Sequence, residues 1–433
     1  MHRILRLIKI KVMNSKEAKN AIWLIGGRVV QMILSFFISI LTARYLGPGN
    51  YGIINYAGAY VAFFTSFCSL GINYVIIKDF MDNPNEQGKA IGTTLVLRLV
   101  SALVSSIMIV GVVSVIDKNE PLTLAVTALC SVALIFQTLD TINYWFQSRY
   151  QSKITSIATL IAYLVTSAYR IFLLVTGKSV DWFAFATSVD YICLGTMLYI
   201  VYKKNGGPKL SFSWEKGKNL LRKSYHYILS GMMVAIYAQT DKLMLKQMMD
   251  EVSVGYYSLA LTVNLMWVFV LQAIIDSLFP TIMQLHKKDK EAFERKNRQL
   301  YAIVIYISIA VAFSFIVFGK YIITILYGDA YMASVQPLKI ITWYTIFSYL
   351  GVARNAWVVC ENKQKYLKYM YCTAAILNIV LNYIFIPLWG PSGAALASVI
   401  TQIGTSMIIP CFIKDMRPNV KLMAQAFVLK GIK

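Results

Sequence analysis

Ten ionisable residues fall within or beside the long apolar runs of this 433-residue chain, and they are where its chemistry would be done. Six are cations, Arg28, Arg98, Arg170, Lys242, Lys339 and Arg354, and four are acids, Asp140, Asp190, Asp241 and Asp276. An Arg or Lys at the centre of a membrane helix costs on the order of 3 kcal/mol, so each needs a partner, a wet cavity or a route to an interface. The plain alternative for each is a helix–helix ion pair or a snorkelling side chain. On that alternative Lys339 reaches an interface and Arg354 the cytoplasmic surface. The excess of cation over acid at depth instead favours a cavity for an anion. Phosphate is the natural one, because Arg meets it bidentately and Lys as a point charge. Asp241 and Lys242 are neighbours in sequence. On a helix they face different sectors and do not simply neutralise one another.

Little other chemistry is legible. Three histidines (His2, His226, His286) are scattered, so no zinc site can be read. Six cysteines lie in or beside apolar runs without a Cys-x-x-Cys pair, which reads as small core residues. No Walker loop, sugar-nucleotide DxD pair, HExxH or Ser-His-Asp constellation occurs. Neither an enzyme, a metal centre nor an organic cofactor is expected.

The elements that must position these residues follow from composition. The chain is 58% hydrophobic and 14% charged, against about a quarter charged in a soluble domain. That balance belongs to an integral membrane protein. A net charge of +22 could suggest nucleic acid, but most Lys and Arg sit in short hydrophilic connections, where they orient a membrane protein. Twelve apolar spans are expected, at roughly 21–43, 52–77, 91–115, 121–144, 154–176, 182–202, 225–247, 253–279, 300–319, 334–359, 368–388 and 390–412. They are too long, and lack the alternation, for barrel strands. The fold class is therefore an all-α polytopic membrane protein, since only helices or closed barrels satisfy their backbone in lipid. Alternate connections are strongly basic and the intervening ones hold at most one cation each, which places both termini in the cytoplasm.

The longest hydrophilic segment between spans, 203–224, contains Asn205-Gly206-Gly207-Pro208 and divides the chain. It gives a basic amphipathic segment at 1–20, an N-lobe at 21–202, the cytoplasmic linker at 203–224, a C-lobe at 225–412 and a basic tail at 413–433. A faint repeat fits this plan: Asn50-Tyr51-Gly52 through Ala57 resembles Ser253-Val254-Gly255 through Ala260. Two-fold plans of this kind are common in transporters, with substrate sites between the repeats. No external connection exceeds about twenty residues, which leaves no room for a large extracellular catalytic domain.

Trp145, Trp182 and Trp389 lie near span ends and read as interface anchors. Tyr144, Trp145, Phe146, Trp343, Tyr344 and Trp357 are the aromatics that could stack along a sugar path. In-span Asn and Gln, among them Gln239, Asn264, Asn378 and Asn382, serve helix packing or a hydroxyl-rich ligand.

At Thr42-Ala43-Arg44-Tyr45-Leu46-Gly47-Pro48-Gly49-Asn50-Tyr51-Gly52 and Leu70-Gly71-Ile72-Asn73 the chain resembles the polysaccharide transporter, or O-antigen flippase, family. The likeness continues at Asp241-Lys242-Leu243-Met244-Leu245, Val254-Gly255-Tyr256-Tyr257 and Leu326-Tyr327-Gly328. It ends with Asn378 and Asn382 leading through Ile386-Pro387 to Gly390-Pro391-Ser392-Gly393-Ala394-Ala395-Leu396-Ala397. The superfamily also holds the multidrug and toxin extruders and the lipid II flippases. The resemblance implies a V-shaped, two-lobed, MATE-like bundle with alternating access. It implies as cargo an undecaprenyl-diphosphate-linked oligosaccharide, moved to the outer leaflet of a bacterial cytoplasmic membrane. It further implies that Arg28, Lys242 and then Arg98 meet the diphosphate, and that Asp241 couples to Na+ or H+. The implied partners are the lipid-linked oligosaccharide, membrane lipids, and the polysaccharide polymerase and chain-length machinery, with no nucleic acid. The similar lipid II branch has more spans, which disfavours a peptidoglycan precursor as cargo.

Three readings compete. A multidrug extruder would want buried acids in the first three spans, which have none. A major-facilitator carrier would show a basic Gly-Asp-Arg motif between spans 2 and 3, absent from 78–89. A polymerase or membrane glycosyltransferase would need a long external loop.

Overall fold

A computed structural model describes residues 16–431, and among these there are helices and turns but no strand. Most of the basic segment expected at 1–20 therefore lies outside the described residues. The helices are α1 (Lys16–Cys68), α2 (Ile72–Asp82), α3 (Gln87–Ile116), α4 (Pro121–Gln137), α5 (Thr141–Ser148), α6 (Ser152–Val175), α7 (Val180–Lys204) and α8 (Trp214–Met248). They continue with α9 (Glu251–Leu265), α10 (Phe269–Lys288), α11 (Lys290–Tyr327), α12 (Val335–Ile341), α13 (Tyr344–Cys360), α14 (Leu367–Trp389), α15 (Pro391–Ile403), α16 (Ile409–Phe412) and α17 (Arg417–Phe427). Side chains such as Val175 and Ile325, 82% and 69% exposed, make sense only with hydrocarbon as solvent.

Nine stretches among the described residues are long and apolar enough to cross a membrane. The difference from the expected twelve has local causes. Spans 1 and 2 run together as α1, which breaks at Gly47 (φ 69°, ψ 172°), a conformation glycine alone adopts cheaply, just before Pro48. Span 7 is α8, whose polar residues dilute its hydropathy. Span 10 is divided between α12 and α13 at Thr342–Trp343, and span 8 between α9 and α10 at 266–268, leaving α10 to qualify by itself. Spans 8 and 10 each run through a short turn that a hydropathy window does not see.

Contacts divide the chain into two units: the chain up to Tyr45 with Ala57–Ala235, and Leu46–Tyr56 with Ile236–Lys433. The division differs from a cut through the central linker. The linker belongs wholly to the first unit, and α8 passes from one unit to the other between Ala235 and Ile236. The first core gathers Ile72, Ile76, Phe80, Ile142, Phe146 and Leu198. Trp145 belongs to it too: it is fully buried, not an interface anchor, and its Nε1 donates to Gln87 Oε1 at 2.9 Å.

The second core is built on Leu300, Ile305, Leu350, Trp357 and Met370. Residues 413–433, expected as a tail, contribute α17, which buries Leu422, Met423 and Ala426 against that core. Arg354, expected to reach the cytoplasmic surface, is 1% exposed instead, and its Nη1 donates to Thr405 O in the π-turn Gly404–Ile408. A π-turn frees backbone carbonyls, and this guanidinium satisfies one.

The faint repeat has a physical meaning inside the second unit. A Cβ on Gly52 would lie 1.7 Å from Glu251 O, and one on Gly255 would lie 2.1 Å from Pro48 O. The two repeat-related glycines thus let two backbones touch. Tyr51 and Tyr56 add side-chain contacts to Thr262 and Gln247.

Candidate functional site

In α8 the adjacent charges have separate surroundings. Asp241 is 5% exposed. Its Oδ1 accepts hydrogen bonds from Asn378 Nδ2 at 3.1 Å and Asn382 Nδ2 at 2.6 Å. Its Oδ2 accepts from the hydroxyls of Tyr257 and Ser398. The four partners arrive on three other helices for a simple reason. Asn378 and Asn382 are one turn apart on α14 and share a face, Tyr257 comes from α9, and Ser398 from the small-residue helix α15, which lets its neighbours approach closely. The network closes on itself, with Asn382 Nδ2 also 3.1 Å from Asn378 Oδ1.

Every donor to Asp241 is neutral, and among the described residues no cationic nitrogen lies within ion-pair distance of it. Asn382 Oδ1 is buried there without a hydrogen-bond partner. A desolvated carboxylate beside a spare carbonyl oxygen and two hydroxyls is an all-oxygen set. It suits a proton or a small hard monovalent cation, not a soft transition metal. No group of three or more His, Cys, Asp or Glu that could hold a metal occurs among the described residues.

Lys242, one position on, is half-buried, and its ammonium makes no hydrogen bond or ion pair among the described residues. A half-buried ammonium without a hydrogen bond or ion pair is a position that an anion can complete. The backbone of Arg28 lies in α1, but its side chain is outside the described residues.

Arg98 lies in the first unit and is 3% exposed. Its Nη1 donates to Thr141 Oγ1 at 2.8 Å and its Nη2 to Gln137 O at 3.4 Å, while Nε has no partner. The two acceptors flank the 3-10 turn Thr138–Asp140 between α4 and α5. Arg98 therefore staples a broken helix. Two half-buried carboxylates lie in the same unit: Asp140 accepts from Asn143 Nδ2 at 3.2 Å, and Asp190 from Thr166 Oγ1 at 3.3 Å. Tyr191 accepts from Gln137 at 3.1 Å. Arg170 and Lys339 are half-buried, and Asp276 is exposed, taking a bond from Gln272 at 2.9 Å.

The fold brings Asp241 together with Asn378, Asn382, Tyr257 and Ser398. Sequence reasoning noted the asparagines and the Tyr257 motif without joining them to the acid, and missed Ser398. The i, i+4 spacing of the asparagines was the available signal. Of the aromatics expected along a sugar path, Trp145, Phe146 and Trp357 are core residues.

Comparison with known proteins agrees with this architecture. A family described as "Polysaccharide biosynthesis protein" matches residues 41–336. The capsular polysaccharide biosynthesis protein CapF of Staphylococcus aureus is 19% identical over 398 residues, 89% of this chain and 96% of that protein. The probable flippase AglR of Haloferax volcanii is 22% identical over 447 residues, 96% of this chain and 88% of that protein. Among solved structures, the lipid II flippase MurJ in an inward closed conformation aligns with a TM-score of 0.72 at 15% identity, covering 93% of this chain and 90% of MurJ. An inward-facing multidrug-resistance MATE transporter aligns at 0.66 and 13% identity, covering 91% and 95%. With its apolar helices, MATE-like fold and matched sequence pattern, the chain is a multi-pass membrane protein that belongs to the polysaccharide biosynthesis protein family.

Proposed function

We propose that the chain is a flippase moving an undecaprenyl-diphosphate-linked oligosaccharide from the inner to the outer leaflet of the bacterial cytoplasmic membrane. The product would feed O-antigen, capsule or exopolysaccharide synthesis. Both termini are cytoplasmic on this reading, and the two lobes alternate access while the prenyl tail stays in lipid. The observation that carries it is Lys242, a half-buried ammonium in a membrane helix with no partner of its own among the described residues. Diphosphate is the anion assigned to it, with Arg28 as a second contact. Arg98 is already committed to Thr141 and Gln137 and is the third candidate contact. Asp241 and its oxygen cluster take Na+ or H+, whose charge offsets the carboxylate. The descriptions of CapF and AglR support the substrate class.

The test is surface polysaccharide in a strain lacking its own flippase, comparing wild type with Arg28→Ala and Lys242→Ala at matched membrane levels. Restored glycan that both substitutions abolish is the expected result. Restoration untouched by either keeps the function and discards the phosphate site. A second reading, a cation-coupled multidrug exporter, is favoured by Asp140 and Asp190, half-buried acids an organic cation would meet. No restored glycan together with altered drug resistance selects it.

A further inference from the structure

The linker carries a surface that transport does not use. Residues 207–213 have no regular secondary structure, yet they are pinned along the first two turns of α3. The Ser211 amide donates to Gly88 O at 3.3 Å and the Ser213 amide to Thr93 Oγ1 at 3.0 Å. Gly88 and Gly92, one turn apart, form the seat: a Cβ at 88 would stand 2.2 Å from Lys209 O, and one at 92 would stand 2.4 Å from Ser211 O. Both ends are tied. Tyr202 donates its hydroxyl to Pro208 O, and Lys216 Nζ lies 2.9 Å from Asp79 Oδ2 and 3.0 Å from Glu86 Oε2.

The backbone atoms that touch α3 belong to 209, 211 and 213, the register of an extended segment, so 210 and 212 share the other alternation and 214 follows as the first residue of α8. Those three are Leu210, Phe212 and Trp214, exposed by 36%, 51% and 67%. An apolar comb held rigidly by its backbone is thus presented outward. Around it Lys203, Lys204, Lys209, Lys218, Arg222 and Lys223 are all exposed. The comb sits at the ends of α3 and α7, both of which are long and apolar enough to span. Aromatic side chains among clustered cations at that level match the headgroup layer of an anionic leaflet.

We infer that segment 209–214 is a membrane-surface anchor, with Leu210, Phe212 and Trp214 entering the adjoining leaflet and the surrounding cations meeting anionic lipid headgroups. It holds the first unit at a fixed depth.

The test is site-directed spin labelling of the full chain at each position from 210 to 214, on a background with the six cysteines replaced, in phosphatidylcholine vesicles with and without phosphatidylglycerol. Positions 210, 212 and 214 should be more accessible to oxygen than 211 and 213, with a water-soluble nickel chelate showing the reverse. Even positions open to the chelate would overturn the anchor, and even positions closed to both reagents would show that protein covers them. If the cysteine-free chain does not fold, hydrogen exchange of 207–213 in the native chain decides the same point. Phosphatidylglycerol should slow exchange, and Lys209→Gln with Lys218→Gln, Arg222→Gln and Lys223→Gln should remove that slowing. Exchange indifferent to phosphatidylglycerol refutes the proposal.

Discussion

Asp241→Asn separates charge from shape at the oxygen cluster. The substitution is isosteric and keeps an acceptor oxygen for Asn378 and Asn382. The hydroxyls of Tyr257 and Ser398 can rotate to accept from the new amide, so the four contacts survive as neutral hydrogen bonds roughly half as strong. The variant should therefore fold. What disappears is one negative charge, worth about 4 kcal/mol to a cation 4 Å away at an effective dielectric near 20. That is roughly a thousandfold in cation affinity. A ligand at about one hundred times its Kd stabilises the folded state by about 2.7 kcal/mol. Thermal unfolding of the purified protein in sodium chloride, against choline chloride at matched ionic strength, should then show an upward shift of several degrees in wild type and none in Asp241→Asn. A shift that follows pH and not sodium, and is lost in the variant, assigns the proton as ligand. An equal sodium shift in both proteins, or none in wild type at any pH or sodium concentration, refutes the assignment.

Gly52→Ala puts a methyl 1.7 Å from a backbone oxygen that no rotamer change can move; it should cost about 1–3 kcal/mol as overpacking and lower the unfolding temperature. Gly58→Ala, with nothing within 4 Å of its Cβ, should instead gain up to about 1 kcal/mol from helix propensity, read in the same melt. Arg98→Lys keeps the charge but loses the fork that reaches both Thr141 and Gln137, so a loss of about 1–3 kcal/mol in stability is expected. pH should release two charged ties. Burial pulls Lys216 down, but its contacts with Asp79 and Glu86 outweigh that and leave it raised. Its stabilisation holds below the free lysine value of about 10.4 and fades as pH climbs through the higher folded value. The Tyr366 hydroxyl, and then Lys363, hold Asp415 low, so that tie is complete above about 3.9 and is lost as pH falls through the lower folded value. Glu86 is in turn held low by Lys216, so acid loosens that tie as well; hydrogen exchange across pH should rise at 207–213 in both acid and alkali, and at 414–417 in acid.

Much of the fold was legible because hydropathy and charge placement are sums over single residues. The apolar runs, the break at Gly47-Pro48 and the break at Gly390-Pro391 need no neighbour to define them. The diffuse family motifs are local strings as well, and the matching family and folds agree with them. Tyr256-Tyr257 belonged to such a string, yet nothing in the string says that Tyr257 turns to an aspartate sixteen residues away.

What the sequence by itself determined about this protein is its solvent, its helices, its turns and its family. Only the tertiary structure decided which face each polar residue presents. It joined Asp241 to Ser398 across 157 positions and to Asn382 across 141. It also spent Arg98 and Arg354 on backbone carbonyls, buried Trp145, and moved the linker and the 46–56 turn into units other than those a linear division suggests. The physical reason is the same in each case. A buried polar group must find its partner wherever helix packing places one, and that placement depends on the rotation of whole helices, which no local window of residues contains.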